Sequence, residues 1–155
     1  MKIKIYAPIE PFGKQRTSTT IEDSRVKHYT PGKTRKFEKD LGLFANQSME
    51  GKEPLKGPLK VIITFKMPIP KSWPKWKQSG AREGSIVPTA KPDIDNLLKS
   101  ALDACNAIVW EDDNQIVDLY TRMRFADTPS VNMIVEQMLN WGAQLIRKPK
   151  GMFIP

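Results

Sequence analysis

The sequence has one cysteine, Cys105, and one histidine, His28. A single thiol excludes an intramolecular disulfide and any zinc site built from thiolates. Cys105 falls at a helix-core spacing and reads as a small buried apolar residue. A single imidazole, set in a polar and basic stretch, leaves little basis for a Ser-His-Asp or Cys-His nucleophilic machine. No apolar run approaches the roughly 20 residues that span a bilayer, so no membrane helix is expected. The start, MKIKIYAPIEPFGK, alternates apolar and basic residues where a signal peptide would be continuously apolar, and the expected location is cytoplasmic. Acidic residues are in deficit as well. Seventeen Asp and Glu stand against 25 Lys and Arg, for a net charge of +8 and a pI near 9.6. Such a surface suits a partner made of phosphates, through counterion release and long-range steering.

What is present is one ordinary domain: 155 residues, 39% hydrophobic and 27% charged, long enough for a real core and short for two. Residues 1–155 are read as a single domain. Lys2 to Tyr6 alternate as a strand, and PIEPFGKQRTSTT breaks that pattern as a loop carrying Lys14 and Arg16. Phe37, Leu41, Phe44 and Ala45 recur at helical spacing within a helix from about Thr34 to Met49. LKVIITFKMPIP is β-branched and bounded by proline, a buried strand. KSWPKWKQSGAREGSIVPTAK shows no sustained period and reads as a long loop. Ile94, Leu97, Leu98, Ala101, Leu102, Cys105 and Ile108 then fall at steps of three and four, a strongly amphipathic helix with Asp93 at its start. NQIVDLYTRMRF and VNMIVEQML follow as strands, joined by ADTPS in what reads as a hairpin. The predicted class is α+β, in the order β-α-β-α-β-β, with two helices packed on one mixed sheet.

Within this frame one segment stands out, KPDIDNLLKSALDACNAIVWEDDNQIV, residues Lys91 to Val117. It gathers Asp93, Asp95, Asp112 and Asp113 around a stretch that otherwise reads as core. Aspartate at a helix start caps orphan N–H groups and suits the helix dipole, and Asp-Asp-Asn is ordinary turn chemistry. Capping accounts for one aspartate more readily than for a pair. If the carboxylates converge, their repulsion calls for a cation, and oxygen ligands with no soft donor suit Mg²⁺. Convergence is not given by spacing, because a helix from Asp93 to about Ile108 separates its ends by roughly 20 Å. Lys99 lies four residues beyond Asp95 on the polar helix face, where it reads either as part of a phosphoryl-transfer site or as a plain helix ion pair. Both readings, metal-dependent phosphoryl chemistry and a solvated polar face, stay open on the residues alone.

KPDIDNLLKSALDACN and VWEDDNQIVDL, with a basic residue returning at Arg122 or Arg124, resemble the two motif blocks of the RusA Holliday-junction resolvases. These are metal-dependent endodeoxyribonucleases of phages and prophages, acting in DNA recombination and repair. PFGKQR is similar to the family's early basic loop. The resemblance implies that Asp93, Asp95 and Asp113 are catalytic metal ligands and that Lys99 is essential. Asp112 is left open between capping, orienting a neighbour and reaching a second cation. The implied cofactor is Mg²⁺, with Mn²⁺ as substitute, and the implied partner is branched DNA in the form of a four-way junction, cut by a homodimer. Lys14, Arg16, Lys75, Lys77 and Lys91 are the residues expected to track DNA phosphates, and Trp73 and Trp76 are placed to stack on unpaired bases or to anchor their loop. The rivals are a nuclease acting on other branched or single-stranded DNA, and a non-catalytic DNA-binding accessory protein.

Overall fold

The computed structural model describes residues 1–14, 18–29 and 31–138. Its elements are β1 (Lys2–Ala7), β2 (Ser18–Glu22), β3 (Arg25–Tyr29), α1 (Gly32–Met49), β4 (Leu59–Pro68), α2 (Lys75–Glu83), α3 (Ile94–Cys105), β5 (Ile116–Ala126) and β6 (Ser130–Gln137). The class is α+β, and the strands and long helices occur in the expected order. Four strands form one mixed sheet in the order β1-β6-β4-β5, antiparallel except for the parallel pair β4–β5.

The sheet is one-sided where its pattern alternates. Ile3, Ile5 and Ala7 of β1 are buried while Lys2, Lys4 and Tyr6 are exposed. Register continues that inner face across the sheet, for example Ile5 beside Met133, Met133 beside Ile63, and Ile63 beside Thr121. Two helices cover it. α1 lays Phe37, Leu41, Ala45 and Met49 into the core at steps of four, and α3 lays Leu97, Ala101, Ala104 and Cys105 beside them. The helices approach closely at Gly42, where an added Cβ would lie 3.3 Å from the Ala104 carbonyl oxygen. Cys105 is buried with its Sγ 3.9 Å from Met133 Sδ, and burial pushes its thiol up to about 12. It is a core residue, as its spacing predicts.

Three local expectations are corrected. First, β5 and β6 are not a hairpin: β4 lies between them and pairs with both. The run LKVIITF supplies apolar residues on both parities, so β4 is served best by a neighbour on each side. Residues Asp127 to Pro129 step over the end of β4, two strand spacings or about 9.6 Å, within reach of three extended residues. Second, the early loop contains the hairpin β2–β3, whose turn places Asp23 and Ser24 at φ 48° and 63°. Asp-Ser is a weaker turn signal than Asn-Gly, so the two short strands were not visible from it. Third, the tryptophan-bearing segment is not all loop but contains α2, bounded by Pro74 and by Gly84 at φ 88°. That helix buries only Gly80 and Ala81, so it has no apolar stripe to read. The two long helices also begin and end slightly inside or outside their predicted bounds, with α3 ending at Cys105 and not Ile108.

Candidate nucleic-acid and acidic site

The site is organised by α3 and the strand that returns beside it. Asp93 occupies the N-cap position of α3, yet its side chain makes no capping hydrogen bond. Asp95 follows in the first turn. Both are exposed, and among the described residues neither carboxylate forms a hydrogen bond or ion pair. The capping explanation therefore does not account for Asp93. Lys99 is exposed one turn further on and forms no ion pair with Asp95 among the described residues.

Asp112 and Asp113 lie beyond the other end of α3, in a 3-10 turn at Asp113–Gln115. Asp112 is the cap: its carboxylate accepts a hydrogen bond from the Asn114 N–H at 3.0 Å. Gln115 closes the same turn. Its Oε1 accepts from the N–H of Glu111 at 2.9 Å and of Asp112 at 3.1 Å. Its amide nitrogen donates to the carbonyls of Leu55 at 2.9 Å and Gly57 at 3.1 Å, which fastens the turn to the segment before β4. Behind it, fully buried Trp110 donates from Nε1 to Asn106 Oδ1 at 2.7 Å. Asp113 is left half-buried with its carboxyl raised above its ordinary 3.8, by burial first, then by hydrogen bonding and charge from Asp112, and by the charge of Asp103.

Two acidic pairs thus sit at opposite ends of α3, roughly 18 Å apart along a 12-residue helix. The returning strand β5 runs antiparallel to α3. It brings Arg122 and Arg124 to Asp93, with which they line one recess of about 460 Å³, and leaves Asp113 near Asp103. Among the described residues no group of three or more His, Cys, Asp or Glu side chains is placed to hold a metal ion. Sequence reasoning missed Asp103 altogether, since it fits an ordinary polar helix face. In the recess with Asp93, Thr121 carries a buried hydroxyl with no hydrogen-bond partner among the described residues.

The early loop closes the other side of Asp93. Gly13 packs so tightly that an added Cβ would lie 2.9 Å from Pro92 Cβ, and the Lys14 N–H donates to the Asn96 carbonyl at 3.0 Å. A cavity of about 660 Å³ lies there, lined by Phe12, Gly13, Lys14, Lys91, Asp93 and Asn96 among others. Lys14 itself is bonded to Glu38 at 2.6 Å and to Asp103 at 3.0 Å. Burial alone would lower its pKa, but the hydrogen bonds and charges of these two carboxylates raise it above 10.5. Of the other cations expected to meet phosphate, Lys75 and Lys91 are exposed, Lys77 lies over the Trp73 ring at 4.0 Å, and Arg16 lies outside the described residues. Trp73 is half-buried and meets Phe125 edge-on, whereas Trp76 is exposed.

Over 140 residues the chain is 30% identical to "Uncharacterized protein YqaN" of Bacillus subtilis (strain 168), covering 89% of this chain and 96% of that protein. Residues 8–136 match the family model described as Endodeoxyribonuclease RusA, a span that takes in the early loop, both acidic pairs and every strand of the four-stranded sheet except β1, stopping one residue short of the end of β6. With most of its length accounted for in this way, the chain belongs to the RusA family of endodeoxyribonucleases.

Proposed function

We propose that the protein is a Mg²⁺-dependent, structure-specific endonuclease that resolves four-way DNA junctions by paired phosphodiester hydrolysis, with residues 1–155 acting as one nuclease domain in a homodimer. The observation that carries this reading is Asp93: a carboxylate at a helix N-cap that caps nothing, beside Asp95, bordered by Lys91, Arg122 and Arg124. A fold that needed Asp93 only for its helix would use it as a cap.

The donor chemistry fits Mg²⁺. Each acidic pair offers oxygen ligands alone, and Mg²⁺ takes one or two carboxylates, completing its shell with water and phosphate oxygens. Burial raises Asp113 first and the neighbouring Asp112 and Asp103 carboxylates add to it, and a cation relieves that added repulsion. Asp93 and Asp95 are the proposed ligands at one end of α3 and Asp113 the proposed ligand of a separate ion at the other, since one ion cannot bridge the length of that helix, and Mn²⁺ is the proposed substitute. When bound, the ion supplies an activated water and neutralises charge on the scissile phosphate. Lys99 adds positive charge where the transition state accumulates negative charge. Lys75 and Lys91 hold the strand through its phosphates.

A four-way junction has two-fold symmetry, so a C2 dimer supplies two matched cuts. Support for self-association comes from β5, a sheet-edge strand that exposes Val117, Leu119 and Tyr120 at 58%, 42% and 61%. Trp110 is fully buried in the core and contributes nothing to such a contact.

The test is cleavage of synthetic four-way junctions, forks and plain duplexes side by side, with Mg²⁺, with Mn²⁺ and with EDTA. Paired nicks in the junction that require the divalent ion are expected. Equal cutting of all three substrates refutes junction resolution, and cutting in EDTA refutes the metal.

A further inference from the structure

Beside the two openings at Asp93 lies a third that the proposed hydrolysis does not use. It encloses about 330 Å³ between α2, the ends of β4 and β5, and the loop Ile86 to Pro92. Its walls are the Trp73 and Phe125 rings, Met67, Met123, Ile86 and Val87. The rings are fixed: their centroids are 5.2 Å apart at 74°, and the Lys77 ammonium lies 4.0 Å from the centre of Trp73. Natural cores close gaps of this size, and an apolar void left open costs stability. An aromatic and thioether-lined hollow that opens to solvent is the usual form of a ligand site.

Two features select the occupant. The charged lining is net cationic, Lys77 and Lys91 against the single carboxylate of Glu10. The hollow also runs into both openings that hold Asp93, sharing Lys91 and Pro92 with one and Val87 to Ala90 with the other. A ligand that lies at Asp93 by its phosphate and reaches into this hollow must pair an anionic backbone with a flat apolar group. We propose that the hollow receives one unstacked nucleobase from the DNA strand that passes Asp93, and that this base fixes the scissile phosphate in place. The base enters between the aromatic, sulfur and aliphatic surfaces, which tolerate any π-face, while the flanking lysines hold the phosphates on either side. Unstacking costs least where pairing is already interrupted, so the hollow favours the centre of a branched substrate over continuous duplex. Trp76, which points away at 71% exposure, takes no part.

This inference rests on the nuclease reading, and the experiment separates the two. Wild-type protein with Mg²⁺ is given an intact junction and a set of junctions each lacking one base near the branch. Ala90→Trp, a change on the exposed loop that fills the hollow from its rim, is assayed on the same set. Cutting of the intact junction by wild type is expected to fall about tenfold when one particular base is removed. Ala90→Trp is expected to cut the intact and that abasic junction at one equally slow rate, with junction affinity held within about twofold. Abasic junctions that are all cut at the intact rate overturn the base-binding hollow and leave the nuclease standing. So does Ala90→Trp that cuts at the wild-type rate and positions. Failure of wild type to cut any junction overturns both.

Discussion

Lys14 is bonded to Asp103, Nζ to Oδ2 at 3.0 Å, in the same arrangement that binds it to Glu38. The lysine thereby ties the early loop to α1 and α3 and neutralises the carboxylate that acts on Asp113. Replacing Lys14 by alanine leaves two facing carboxylates without their cation. The expected loss is about 1–2 kcal/mol, between an exposed and a buried pair, read as a lower urea midpoint. A change in DNA affinity with the midpoint unmoved would instead make Lys14 a phosphate contact.

Asp113 carries a raised carboxyl in the folded protein, so the folded state holds that proton more tightly than the unfolded chain does. Its ionisation therefore costs stability: nothing below the ordinary value of 3.8, an increasing amount as pH rises through the raised value, and the full amount above it. Asp113→Asn removes the cost. In EDTA it is expected to be more stable than wild type at pH 7 and indistinguishable at about pH 3, by chemical denaturation at both. The same variant is expected to lose junction cutting while keeping junction binding.

Gln115 makes four hydrogen bonds that hold the Asp112–Asp113 turn against the chain at Leu55 and Gly57. Gln115→Ala frees the turn and is expected to lower junction cutting by at least about tenfold through misplacement of Asp113. Gln115→Glu keeps the two accepted bonds and loses the two donated ones, so an intermediate rate is expected. Equal activity of all three proteins would show that the turn needs no such anchor.

Gly13 touches Pro92 so closely that a methyl group has no room, with Cβ to Cβ at 2.9 Å. Gly13→Ala must push the early loop and the start of α3 apart, displacing Asp93. Reduced cutting is expected with a thermal midpoint lowered by only a few degrees, since the contact lies at the edge of the core. Unchanged cutting would mean that the loop does not set the position of Asp93.

The helices and strands that face the core could be read from the sequence because burial writes a period into it. Phe37, Leu41, Ala45 and Met49 do so for α1, and Leu97, Ala101 and Cys105 for α3. α2 is silent because Ala81 and Gly80 are its only buried residues, although Pro74 and Gly84 mark its ends. The sheet order was hidden for a different reason. A short turn between β5 and β6 suggests a hairpin, and only the two-sided hydrophobicity of β4 argues for its place between them. At the site, the sequence identifies Asp93, Asp95, Asp112 and Asp113 as unusual, and the fold divides them. Because β5 returns along α3 from its far end, Arg122 and Arg124 meet Asp93 while Asp113 keeps company with Asp103. Antiparallel return of a strand along a helix has no local signature.

The order of strands also governs when the protein can become active during synthesis. β1 pairs only with β6, Lys2 opposite Glu136 through Ala7 opposite Val131, and β4 finds both neighbours downstream of itself. A nascent chain that has emerged only as far as Ala126 holds its amino-terminal strand without a mate. Closure of the sheet waits for the residues from Ser130 to Gln137, a long-range pairing of the kind that slows folding. A growing chain of this protein is therefore expected to stay inert beside nucleic acid until β6 has emerged and paired.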